Sequence, residues 1–201
     1  MLALPGGPAR SAFRLSKLHM AAQRVCRKVH SLQAHFVHLV DLDGDLTAQE
    51  RAVLDALLSY GPEPAPAFLP RVDAVVVPRP GTISPWSSKA TDIARSCGLR
   101  AVRRIERGVV WTLEGVGAGE REAVTALLHD RMTEAVLPTL DACAGNFQTG
   151  SPRTLRRVPV LSEGRNALVA ANATWGLALA DDEIDYLVDA FIKMGRDPSD
   201  A

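Results

Sequence analysis

The chain has 201 residues, 47% hydrophobic and 23% charged, enough for one domain with its own core or one domain with an appended segment. Lys plus Arg and Asp plus Glu both number 23, so no net field recruits nucleic acid or anionic lipid, and 5% aromatic residues leave little for base stacking. No apolar run nears the roughly 18 residues needed to cross a bilayer, and Pro5, Gly6, Gly7 and Pro8 interrupt the start where a signal peptide needs an apolar core.

A cytoplasmic chain without membrane or nucleic-acid partners is therefore expected. Ser11 to Lys28 reads as a helix with Ser11 as N-cap and Phe13, Leu15, Leu18 and Ala22 near helical spacing. His35 to Leu42 reads as a strand. Thr47 and Glu50 have the spacing of a capping box opening a helix with Val53, Leu54, Leu57 and Leu58, which stops at Gly61-Pro62. Glu63 to Pro70 is proline-rich and expected as a loop. Ala74 to Val77 is a short buried strand, and a loop leads to Trp86 and a helix ending at Gly98, with Ser87 or Ser88 as its expected cap.

Val102 to Leu113 is β-rich, with Gly108 expected at a bulge or tight bend. Glu120 to Arg131 is expected as a helix and Thr133 to Leu137 as a last strand, stopped by Pro138. This order predicts an α+β fold, one sheet with helices packed on it, over residues 1–141. Residues 142–160 turn to Gly, Ser, Pro and Arg and are expected as a linker. Beyond it, 161–201 should hold two helices, Ala167 to Ala180 and Asp181 to Met194, the second opened by Asp181, Asp182 and Glu183 at the positive end of its dipole. Without a partner these helices should fray or fold back on each other or the core.

Candidate chemistry is sparse. Cys26, Cys97 and Cys143 are odd in number and in no CxxC pattern, so they suggest small buried hydrophobes rather than disulfides or zinc. His35 and His38 are three apart on a strand and cannot share a metal; His19, His30 and His129 lack ligand partners, so surface or half-buried structural histidines are expected and no metal site. Asp41-Leu42-Asp43-Gly44 after an apolar strand resembles the first motif of haloacid-dehalogenase phosphatases, with Asp41 as nucleophile, Asp43 as general acid/base and Asp181-Asp182 as a metal pair. Against that stand Asp45, where those enzymes carry Thr or Val, and a DD pair that opens a helix instead of ending a strand.

The densest stretch runs from Pro78 to Ala94. Three prolines stiffen it, Thr82, Ser84, Ser87, Ser88 and Thr91 supply hydroxyls, and Arg79 and Lys89 supply cations. Arg79, Thr82, Ser84, Trp86, Ser87, Lys89, Thr91 and Asp92 are the interface candidates. No residue is assigned a catalytic role.

The same stretch carries a family resemblance. PRPGTISPWSSKATDIARSCGL, with VRRIERGVVWTLEG after it, is similar to the N-terminal domain of large single-chain bacterial phosphoribosylformylglycinamidine synthases. Ser11 to Arg14, Leu54 to Pro62, Leu128 to Met132 and Trp175 to Leu187 appear in matching order, from about Ser11 to Asp200.

The resemblance implies a purine-biosynthetic ligase that uses ATP, Mg²⁺ and glutamine to turn a formylglycinamide ribonucleotide into its amidine. Within it, this portion resembles a fused pair of small accessory subunits, binds no cofactor, and holds the glutaminase and synthetase domains together around an ammonia route. The family's ATP-binding half and its Cys-His-Glu glutaminase have no counterpart in the 201 residues. The expectation is a truncated frame or fragment, or a stand-alone accessory subunit of a multi-part synthase, inactive by itself.

Overall fold

The computed structural model describes residues 1–61, 64–67, 71–148 and 154–200. The chain divides into two compact units, Met1–Gly150 and Ser151–Ala201.

The first unit is an α+β layer structure. Strands β1 (Leu2–Pro8), β2 (Ser31–Leu42), β3 (Ala74–Pro78), β4 (Val102–Glu114) and β5 (Glu134–Leu137) form one antiparallel sheet in the order β1-β2-β4-β3-β5. Its spine is the β2–β4 pair, in register from Ser31↔Glu114 to Leu42↔Val102. Side chains alternate across a strand, and here both faces are apolar. One face buries Leu32, Ala34, Val76, Val109, Trp111 and Leu113 under α1 (Ala12–Val25) and α4 (Arg121–Thr125). Farther along that face, Val40, Ile105 and Val102 meet Leu54 and Leu58 from α2 (Ala48–Leu57) and Ala94 from α3 (Pro85–Ser96). The opposite face buries Val37, Leu39, Val75, Val77 and Val110 with Cys143, from the short 3₁₀ turn Asp141–Phe147.

One strand was not foreseen, and three local expectations need correction. Leu2–Pro8 is a strand despite its prolines and glycines, because β1 is an edge, where a missing N–H breaks no ladder. Gly108 is not a bulge: it stands in register opposite Val37, and the irregularity lies at Asp41/Leu42. Its bareness instead admits close packing, since a Cβ there would lie 3.0 Å from the Val76 carbonyl oxygen and from Val77 Cγ1. The helix expected to Arg131 ends at Thr125, after which i−3 bonds tighten the chain (Leu127 N–H to Val124 O, Leu128 N–H to Thr125 O). The cap of α3 is Ser84, not Ser87 or Ser88: Pro85 is preset for the first helical position, so the helix starts earlier.

The Thr47–Glu50 capping box forms as expected, with the Thr47 N–H donating to Glu50 Oε2 at 2.9 Å. Gly61 is described, while Pro62 lies outside the described residues, as do Glu63 and 68–70 of the expected loop.

The second unit holds α5 (Val160–Glu163), α6 (Arg165–Trp175) and α7 (Asp181–Met194) around Val158, Val160, Leu168, Ala171, Ile184 and Val188. The expected first helix ends five residues early, at Gly176 in the left-handed conformation. Beyond it the Asn172 side chain clamps Leu179 through both backbone groups, at 3.0 Å each. Within 142–160, Asp141–Phe147 is the 3₁₀ turn of the first unit, residues 149–153 lie outside the described residues, and Val158 is buried in the second unit.

Candidate functional site

The site is built where β3 leaves β4. Their ladder runs from Ala74↔Trp111 to Val76↔Val109, so among the described residues no strand pairs with residues 104–107 of β4 on that side. Helix α3 takes its place. The buried Ser87 hydroxyl donates to the Ile105 carbonyl at 2.6 Å, and one turn later Thr91 Oγ1 accepts the Ile105 N–H at 3.0 Å. Two side chains thus satisfy the pair of backbone groups that a neighbouring strand would have bonded.

Below this seam lies a buried ion pair. Glu106 is fully buried and meets Arg104 at 2.8 Å. The Ser84 hydroxyl donates to Glu106 Oε1 at 2.6 Å while accepting the Ser87 N–H at 3.0 Å. The Arg107 N–H donates to the same carboxylate oxygen at 3.0 Å. Arg104 also donates to the carbonyls of Thr82 and Asn146, at 2.9 and 3.1 Å, and lies over the Phe147 ring. The Asn146 amide donates to the Pro78 carbonyl at 2.8 Å, closing a ring of contacts from β3 through the loop to the 3₁₀ turn. A buried charge is tolerated only with this many partners.

The sequence candidates therefore separate. Ser84, Ser87 and Thr91 face inward and hold α3 to β4. Arg79, Thr82, Lys89 and Asp92 are exposed, with Ile83 at the loop tip 63% exposed. The loop carrying them is fixed, since Thr82 donates its N–H and hydroxyl to the Arg79 carbonyl at 3.0 and 2.6 Å, and the Arg79 N–H donates to Thr133.

Trp86 belongs to a second group that sequence reading did not assemble. Its ring stacks on His38 at 5.7 Å, and the Arg107 guanidinium sits 4.8 Å from Trp86 and 4.3 Å from Phe36. Tyr60 closes the group, its hydroxyl 2.8 Å from His38 Nε2 and accepting from Arg107 at 3.2 Å. Burial, with the positive charge of Arg107 adding to it, pushes the His38 imidazole down to about 4. The expectation of surface or half-buried histidines fails here, because His38 is fully buried. The signal for the ion pair was present in Arg103-Arg104-Ile105-Glu106-Arg107: Arg104 and Glu106 share one face of a strand, which puts their charges side by side.

The phosphatase reading is overturned. Asp41 stands in an antiparallel strand opposite Arg104, and its carboxylate accepts from Arg103 at 2.9 Å. Asp181 is tied to Arg165 at 2.7 Å. Cys143 is buried among apolar residues, and burial, with the nearby Asp141 charge, pushes its thiol up to about 11, far from a reactive thiolate. Among the described residues no group of three or more His, Cys, Asp or Glu side chains could hold a metal, and no helix is long and apolar enough to cross a membrane.

Two family models match the chain. The model for the N-terminal region of formylglycinamide ribonucleotide amidotransferase matches residues 35–147, more than half the chain and the whole seam between α3 and β4. The model for that enzyme's linker domain matches residues 168–201, which include most of α6 and all of α7.

Proposed function

The chain belongs to the formylglycinamide ribonucleotide amidotransferase family of purine biosynthesis, of which it carries N-terminal and linker portions, and from that premise we propose that it organises catalysis done elsewhere in the synthase. The whole enzyme, in this reading, is a cytoplasmic ligase that consumes ATP with Mg²⁺ and takes ammonia from glutamine. This chain binds none of these cofactors. It docks onto the glutaminase and synthetase domains and helps enclose the ammonia route between them.

The seam between α3 and β4 carries the reading. The hydroxyls of Ser84, Ser87 and Thr91 are committed to internal bonds, which leaves them unfit to bind a substrate. What they achieve is rigidity: a fixed rim of Arg79, Thr82, Ile83, Lys89 and Asp92 turned to solvent. A preorganised rim with a central apolar residue and charges around it suits a protein interface, because little ordering is left to be done on binding.

The experiment uses a full-length synthase of this family with Lys89→Glu and Asp92→Arg, both on exposed positions. Glutamine-driven amidine formation should fall about fivefold or more, an ordinary coupling between sites, while ammonia-driven formation holds. Unchanged glutamine-driven turnover, or an equal loss with ammonia, would contradict the proposal.

A further inference from the structure

Helix α1 has two unlike faces. Leu15, Leu18 and Ala22 turn to the core of the sheet. On the opposite side Phe13, Lys17, Met20 and Arg24 recur at i, i+4, i+7 and i+11, which lines them up along one stripe. All four are exposed, Phe13 by 68% and Met20 by 55%. The solvent side of a helix ordinarily carries polar residues alone; this one alternates large apolar side chains with cations.

Helix α7, in the second unit, repeats the spacing with the opposite charge. Ile184, Leu187, Val188 and Phe191 pack in that unit's own core. Asp182, Tyr186, Asp189 and Lys193 run along the far side, all of them exposed, with Tyr186 at 73%. Both stripes have the spacing of the positions through which two helices pack along a common seam.

Steps of four, three and four residues read the same in both directions, so two such stripes meet residue by residue when their helices run antiparallel. Laid that way, Lys17 stands opposite Asp189 and Arg24 opposite Asp182. Met20 meets the Tyr186 ring, and Lys193 meets the Phe13 ring. All four pairs attract: two ion pairs, a thioether on an aromatic ring and a cation on an aromatic ring. The parallel alignment would set Phe13 and Met20 against Asp182 and Asp189, and Arg24 against Lys193. The side chains therefore select one direction.

These charges are uncommitted. Among the described residues Lys17, Arg24, Asp182, Asp189 and Lys193 enter no ion pair, whereas the neighbouring Asp181 and Asp185 are held by Arg165. Lys17 touches only the Phe13 ring, 4.6 Å from its centre. The imbalance also extends beyond the stripes. The first forty residues hold six Lys or Arg and no Asp or Glu, and α7 holds five acidic residues against one lysine. A chain that is neutral overall thus offers one basic and one acidic helix, and such a pair steers its own encounter.

We propose that the partner of this face is a second copy of the chain, with α7 of one copy lying antiparallel along α1 of the other in the register Lys17–Asp189 and Arg24–Asp182. Exchanged reciprocally, the contact is two-fold and closes at a dimer. It is separate from the α3 rim and does not depend on the interface reading.

Sedimentation of the intact chain in about 0.05 M and about 0.5 M salt tests this. A dimer is expected in the lower salt, with association weakened about tenfold or more in the higher. One variant reverses α1 (Lys17→Glu with Arg24→Glu) and another reverses α7 (Asp182→Lys with Asp189→Lys). Each alone should be monomeric, because like charges then face each other. An equimolar mixture of the two should form a heterodimer, since both of its contacts again join opposite charges. Tyr186→Ala should weaken the parent dimer about threefold or more. Every substituted position is exposed, and circular dichroism matching the parent's establishes that each variant is folded. A parent that stays monomeric in low salt, association lost in only one of the reversed variants, or a mixture that stays monomeric would overturn the proposal. So would growth past the dimer, since the contact would then not close.

Discussion

Ser87 donates its hydroxyl to the Ile105 carbonyl at 2.6 Å, across the gap where strand β3 has turned away from β4. A helix thereby completes a sheet edge, and the loop leading into that helix is held by the same stitches.

Ser87→Ala should cost about 1–3 kcal/mol, because it leaves a buried carbonyl without its donor and takes away the hydroxyl that the Arg104 Nε–H donates to at 3.2 Å. Thr91→Val, which keeps the shape, should cost a similar amount by orphaning the Ile105 N–H. Urea unfolding of both variants checks this. Losses under about 0.5 kcal/mol would mean that water reaches the seam.

The Arg104–Glu106 pair predicts strong non-additivity. Arg104→Met should cost about 3–5 kcal/mol, since it strands a fully buried carboxylate. Adding Glu106→Leu should recover part of that loss, giving a double variant more stable than the sum of the singles predicts. A double-mutant cycle by denaturant unfolding measures it. Simple additivity would show that the two side chains do not act together.

His38 sets a pH dependence of definite sign. Its folded value, about 4, lies below the ordinary value of 6.5, so the fold favours the neutral ring. Its contribution is complete above about pH 6.5 and is lost progressively as pH falls toward 4. Between pH 7 and 5, where carboxylates barely titrate, about 2 kcal/mol should disappear. His38→Gln should flatten that interval. A parent protein equally stable at pH 7 and 5 would contradict the burial argument.

Gly115 should be the least replaceable glycine of the first unit. Its φ is +81°, and a Cβ there would fall 1.8 Å from the Lys28 carbonyl oxygen. Gly115→Ala should therefore cost well over the roughly 1–2 kcal/mol of left-handed strain alone. Thermal unfolding against Gly119→Ala, at a site with open space, supplies the comparison.

The legible parts of the molecule were those with short-range causes. The Thr47–Glu50 box, the valine run of β3 and the acidic start of α7 each declare themselves within a few residues, and each forms. Strand β1 was hidden because its Pro5 and Pro8 argue against a strand unless its edge position is known, and that position is set by β2. The hydroxyls of the 79–92 segment were legible as a cluster but not in direction. Nothing local says that Ser87 and Thr91 face a gap in a sheet, since the gap follows from where β3 ends. The Phe36–His38–Tyr60–Trp86–Arg107 group draws on three separate elements and the turn after α2, so no window of sequence contains it.

The central claim is that the chain serves a synthase without doing its chemistry, and one reconstitution tests it directly. The purified chain is assayed for glutamine hydrolysis and ATP consumption, alone and after addition to a synthase of this family from which the matching N-terminal and linker portions have been removed. The account predicts neither activity from the chain alone, and restored glutamine-dependent amidine formation on addition. Turnover by the isolated chain that survives a second purification, or no restoration by a folded chain, would contradict it.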